Sequence, residues 1–136
     1  VMTDWTRLMT TIFNGASNIA QAGGLASLDE TGLAETKALT DYYLENAKII
    51  RNTLTGANFS AAGVEVFGGD NAPYVWVRFP GRKSWDVFDR ILDECHVVCT
   101  PGAGFGPAGE SFIRFSSFGH RDQVIEACAR LAKLVL

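Results

Sequence analysis

TPGAGFGPAGESFIRFSSFG, residues 100–119, joins a glycine-rich bend to a short apolar strand with one arginine in its middle. Side chains alternate along a strand, so Ile113, Phe115 and Ser117 share one face while Phe112, Arg114 and Ser116 share the other. A guanidinium that loses water on a covered face needs an anion. Its planar fork suits a carboxylate or a phosphate, each charge-assisted bond contributing about 1.5–3 kcal/mol. Gly102, Gly104, Gly106 and Gly109 let backbone come close to a ligand or turn through positive φ. The plainer alternative is an arginine paired to an internal Asp or Glu, with glycines that merely turn the chain. Two nucleotide motifs are excluded: Pro107 stands where the dinucleotide fingerprint needs its third glycine, and no Gly-Lys-Ser/Thr ending makes a P-loop.

Outward from this stretch the periodicities give an ordered set of elements. From Arg121 onward, Val124, Ala127, Cys128, Leu131, Leu134 and Val135 form a helical stripe opposite Glu126, Arg130 and Lys133. Upstream, Val97–Thr100 reads as a strand, and Ser84 is placed to cap a helix over Trp85–Glu94. Tyr74–Phe79 is β-branched or aromatic almost throughout and reads as an inner strand, with Val64–Phe67 a shorter one across the Gly68–Asn71 turn. Leu39, Tyr43, Ala47, Ile50 and Leu54 mark one face of a long helix, Leu33–Leu54, which would span about 33 Å. Asp29–Gly32 reads as a break before it. Earlier still, Asn14, Ser17 and Asn18 are helix-capping types ahead of a small-residue run, Ala20 to Ala26, suited to close packing. Val1–Thr11 shows no clean period, and its start suggests a piece of a longer chain. The order predicts an α+β fold, a small sheet with helices packed on one face.

Composition narrows function by exclusion. The chain has 136 residues, 47% hydrophobic and 20% charged, with 12 Lys plus Arg against 15 Asp plus Glu. A formal net charge of -3 without a basic run argues against nucleic acid as a partner. No apolar run reaches the ~18 residues of a membrane span, and the first residues lack a signal-peptide layout. Cys95, Cys99 and Cys128 have no framework or paired-CxxC spacing, so reduced, buried thiols are expected. Even with His96 and His120 they do not suggest a metal site.

Taken together, Pro101-Gly102, Phe105-Gly106, Gly109-Glu110 and Phe112-Ile113-Arg114-Phe115-Ser116 are similar to the PG…FG…GE…R.S pattern of pyridoxal-phosphate-dependent aminotransferases of fold type I. FNGASNIAQAGGLA (Phe13 to Ala26), NAPYVWVRFPGRKSWDVF (Asn71 to Phe88) and Thr100 to Arg121 resemble the branch of that family acting on LL-diaminopimelate, and the likeness runs from about Thr11 to the end. The resemblance implies that Arg114 holds the substrate α-carboxylate and that Asn14 lines the substrate pocket at a dimer interface. It implies that residues 1–30 end a large cofactor-binding domain and residues 31–136 form the small C-terminal domain. It also implies amino-acid and keto-acid substrates, a homodimer, and a bacterial cytoplasm or plastid stroma.

The family's cofactor lysine, pyridinium aspartate and phosphate cup all lie upstream in the pattern. Lys37, Lys48, Lys83 and Lys133 stand on polar helix faces or turns without a motif around them. The expectation is therefore a piece that contributes no catalytic residue of its own and binds no pyridoxal phosphate by itself. Two rivals stay open from the residues: another aminotransferase of the same fold with an aspartate, aromatic or branched substrate, and a free-standing carboxylate-binding module.

Overall fold

A computed structural model describes residues 1–13 and 15–135. They fall into two compact units, Val1–Leu39 and Thr40–Leu136.

The first unit is helical. Its opening stretch, read from sequence as lacking a period, forms α1 (Met2–Ile12). Met2, Trp5, Leu8 and Ile12 do recur at steps of three and four, but threonines at 3, 6, 10 and 11 interrupt the run. Thr10 and Thr11 do not break the helix, because their hydroxyls donate back to carbonyls of Thr6 and Arg7 on the preceding turn. Next comes α2 (Asn18–Leu28), capped by Ser17, whose Oγ accepts from the Ala20 N–H at 3.3 Å. The third helix, α3, starts at Glu30 rather than Leu33 and runs to Leu54. Asp29 alone makes the break: its carboxylate accepts from the Gly32 N–H at 2.8 Å, so the residues read as a turn are the first turn of the helix.

The second unit contains the rest of α3, a short α4 (Ala57–Ala61) and the sheet: β1 (Glu65–Gly68), β2 (Tyr74–Arg78), β3 (Thr100–Pro101) and β4 (Phe112–Ser116). Two further helices complete it, α5 (Ser84–Cys95) before β3 and α6 (Arg121–Leu131) after β4. The strands lie in the order β1-β2-β4-β3, all antiparallel. The expected third strand is cut to two residues, since only Thr100 and Pro101 pair with β4. Pro101 has no N–H to give a ladder, which suits the short edge position.

Strand alternation then divides the sheet. Val75 and Val77 of β2 and Ile113 and Phe115 of β4 turn inward and meet Ala47, Ile50 and Leu54 of α3, Val87 and Ile91 of α5, and Val124 and Leu131 of α6 in one buried cluster. The α+β architecture with helices on a single face of the sheet is thus the observed one. The other face carries Tyr74, Trp76, Phe112 and Arg114, all half-buried.

One buried polar side chain ties these layers together. Asn46 of α3 is fully buried, yet its amide nitrogen donates to the carbonyls of Ser117 and Gly119, and its oxygen accepts from Arg121 Nε at 3.0 Å. Every hydrogen-bonding site on one side of that amide is used, and the loop leaving β4 is fixed to α3. Replacing Asn46 by leucine strands two carbonyls and a guanidinium nitrogen, each worth about 1–3 kcal/mol when left unpaired in the interior. Asn46→Leu is expected to lower stability by about 3 kcal/mol, read as a fall in the urea midpoint at unchanged slope.

Candidate functional site

Arg114 stands at the centre of the sheet's open face. The pairing register sets Phe67, Trp76, Arg114 and Thr100 in one row across all four strands. Its Cζ lies 4.5 Å from the ring centroid of Tyr74 and 4.7 Å from that of Phe105. Each ring is held by a different aromatic neighbour, Tyr74 by Phe118 and Phe105 by Trp76. Aromatic faces attract a cation by about 0.5–2 kcal/mol, more as water is removed. They do so without using its N–H groups, which point outward along the guanidinium plane. The Nε atom is buried without a hydrogen-bond partner, and none of the ion pairs among the described residues involves Arg114. The side chain is half-buried, and no acid among the described residues forms an ion pair with it.

Two supports hold the flanking rings. Tyr74 packs edge-on against Phe118, 5.7 Å between centroids, and Phe118 against Tyr43 of α3 at 4.8 Å. Phe118 sits in the loop that Asn46 fixes, so the polar hub of the core also sets this ring. Phe105 comes from the bend between β3 and β4, two short 3-10 turns spanning Gly102–Phe105 and Pro107–Gly109. The bend closes on itself where Gly102 meets Gly109: a Cβ at 102 would lie 2.1 Å from the Gly109 carbonyl oxygen. That contact explains two of the four glycines, and Gly106, at φ 113°, needs the left-handed freedom of a third.

The residue that sequence reading missed is Glu110. Ser84 was expected to cap α5 from outside, but it is the first residue of the helix, with Lys83 in the cap position and no side-chain cap of its own. Glu110 caps instead. Its Oε1 accepts from the Ser84 N–H at 2.6 Å, the Ser84 hydroxyl at 3.0 Å and the Ser111 N–H at 3.1 Å. The N–H bond from Ser84, then that from Ser111, then the Ser84 hydroxyl hold the carboxyl below the usual carboxylate range. An acidic residue placed just after the bend, with a serine opening the helix before it, was the available signal.

The remaining candidates lie apart. Asn14 is outside the described residues. Cys95 and Cys128 are buried free thiols and Cys99 a half-buried one; burial raises all three, Cys99 to about 12. Among the described residues no group of three His, Cys, Asp or Glu side chains could hold a metal ion, and no helix is long and apolar enough to cross a membrane.

Residues 1–131 match the family model described as aminotransferase class I and II. The chain belongs to that family. Among class I and II aminotransferases, a probable chloroplastic LL-diaminopimelate aminotransferase of Oryza sativa subsp. japonica is 54% identical over 134 residues, 98% of this chain and 28% of its own length. The LL-diaminopimelate aminotransferase of Protochlamydia amoebophila (strain UWE25) is 45% identical over 136 residues, all of this chain and 32% of its own. The solved L,L-diaminopimelate aminotransferase from Chlamydomonas reinhardtii superposes with a TM-score of 0.81 at 55% identity, covering 94% of this chain and 30% of that one. The chain thus spans about a third or less of the relatives it matches. The aminotransferase family implies pyridoxal phosphate, and the residues around Arg114 do not fit that group as its holders. They are aromatic with one cation, whereas Lys48 lies beside Glu45 on α3, Lys83 immediately precedes α5 and Lys133 follows α6.

A pH dependence follows from Glu110. Its folded-state value is lowered, so its contribution is complete above the ordinary carboxylate value and is lost as pH falls through that value to the folded one. The melting-temperature advantage of the wild type over Glu110→Gln is expected to be full at neutral pH and to shrink on acidification through the carboxylate range, measured by circular dichroism across a pH series.

Proposed function

We propose that this chain is the C-terminal part of an LL-diaminopimelate aminotransferase and that Arg114 binds the α-carboxylate of its amino-acid substrate. The observation that carries the reading is the state of the guanidinium: flanked by Tyr74 and Phe105, with Nε buried and unpartnered and no internal carboxylate beside it. A substrate carboxylate supplies the missing charge and accepts from the terminal N–H groups of the fork. The same two ends of the fork that bind it also orient it, because a bidentate pair fixes the carboxylate plane as well as its position. The likeness to LL-diaminopimelate aminotransferases over nearly the whole chain supports the substrate assignment.

On this reading residues 1–30 finish the large cofactor-binding domain and residues 31–136 form the small domain, with α3 leading into it. The resemblance assigns Asn14, outside the described residues, to the lining of the substrate pocket at a homodimer interface. Pyridoxal phosphate, held by residues outside this chain, supplies the electron sink for amino-group transfer between amino acid and keto acid. The part played here is binding and alignment at the carboxylate end. The enzyme works in a plastid or a bacterial cytoplasm, as the relatives' sources suggest.

Kinetics of the full-length enzyme test the assignment. Arg114→Lys keeps a positive charge and removes the planar fork, so KM for LL-diaminopimelate is expected to rise and kcat/KM to fall by about a hundredfold. Unchanged kinetics would take Arg114 out of the site. Half-reaction spectra that respond to aspartate and not to LL-diaminopimelate would transfer the chain to another branch of the family.

A further inference from the structure

The bend that brings Phe105 to Arg114 has little to hold it in place. Of its residues only Gly102 is buried, and Phe105 itself is about half exposed, 53%. Its fixed points are at its base. On one side the Ala103 N–H donates to Ser84 Oγ at 3.2 Å; on the other the chain leaves through Glu110 into β4. Those two sides meet at one oxygen. Ser84, fully buried, has a single hydroxyl proton and gives it to Glu110 Oε1, which turns a lone pair toward Ala103. The carboxylate therefore decides which way the hydroxyl faces, and the hydroxyl holds the first turn of the bend. The same oxygen holds the Ser111 N–H, and Ser111 sits at φ 69°, a left-handed conformation rare for a residue with a side chain. The Ser111 carbonyl in turn accepts from the Phe79 N–H at 2.7 Å, at the end of β2.

We infer that Glu110 is a positioning residue for the anion site: through Ser84 it clamps the base of the Gly102–Gly109 bend, and the clamped bend holds Phe105 against Arg114. The inference rests on the reading of Arg114 as the substrate's carboxylate anchor. Glu110 spends its hydrogen bonds on Ser84 and Ser111 and makes no ion pair with the guanidinium. It acts through the ring, and loss of the clamp lets Phe105 swing away from both Arg114 and Trp76, whose ring centroid it meets at 5.2 Å. The guanidinium then loses one of the two rings whose centroids lie 4.5 and 4.7 Å from its Cζ, and a bidentate ligand must order it on binding.

The test is a double-mutant cycle in the full-length enzyme, with calorimetric binding of pimelate, a seven-carbon dicarboxylate, read beside steady-state kinetics with LL-diaminopimelate. Glu110→Ala is expected to raise the pimelate Kd and the KM about tenfold while kcat changes less than about twofold, with Glu110→Gln showing a smaller rise because its amide oxygen still accepts. In an Arg114→Lys background the Glu110 change is expected to add almost nothing, since the cation it aligns no longer has a plane to fix. An equal loss in both backgrounds makes Glu110 a general support of the fold and overturns the inference. An unchanged Kd in Glu110→Ala, with Arg114→Lys still impaired, overturns it too and leaves the carboxylate anchor standing. If Arg114→Lys itself binds pimelate like the wild type, the underlying reading fails first. Should the alanine variant not fold, Glu110→Gln carries the comparison.

Discussion

A guanidinium whose central carbon lies over aromatic rings has its charge attracted without its N–H groups being consumed. Arg114 is in that state because of where it stands: the middle of a strand, on the side of the sheet that no helix of its own unit covers. Had the side chain been one residue earlier or later it would have faced the core, where an unpaired cation costs several kcal/mol. Strand parity is thus the first condition of the site. The second is the pair of rings: Phe105 is carried by the bend that Ser84 ties down, and Tyr74 of β2 is braced by Phe118, from the loop that Asn46 ties down.

These two ties use different chemistry. Asn46 is neutral, fully enclosed, and satisfied by two carbonyls and an arginine, so its hold does not depend on pH in the carboxylate range. Ser84 is enclosed as well, but its orientation comes from the charge on Glu110, which remains open to water. A neutral brace therefore serves Tyr74 and an ionised one serves Phe105.

Much of the fold was legible because its signals are local and periodic. The alternation in YVWVR and FIRFS gives two central strands and their two faces, and the spacing of Val87 and Ile91, or Val124, Cys128 and Leu131, gives the helices that cover one of them. What escaped was nonlocal or disguised. Threonines hid α1 because back-bonded hydroxyls are compatible with a helix that their propensity disfavours. Asp29 displaced a predicted break by a few residues, since a cap looks like a turn until its partner is known. Of the candidate site, Arg114 and the bend could be found from residue types alone. The role of Glu110 could not, because its partner Ser84 lies 26 residues away and was read as a cap in its own right. The flanking of Arg114 by Tyr74 and Phe105 likewise depends on register across strands and on the path of a loop.

The two-sided sheet also separates durability from chemistry. From the sheet, Val75, Val77, Ile113 and Phe115 point inward to join Leu54, Phe59, Phe79, Ile91 and Leu131 in the core, while Tyr74, Trp76 and Phe112, with Phe105 from the bend, stand on the other side beside Arg114. Changes among these outer rings alter the surroundings of the guanidinium and leave the interior packing untouched. If Arg114 holds the substrate as proposed, a lineage built on this scaffold can wander from one amino acid to another by altering its outer aromatics, without first having to become sturdier.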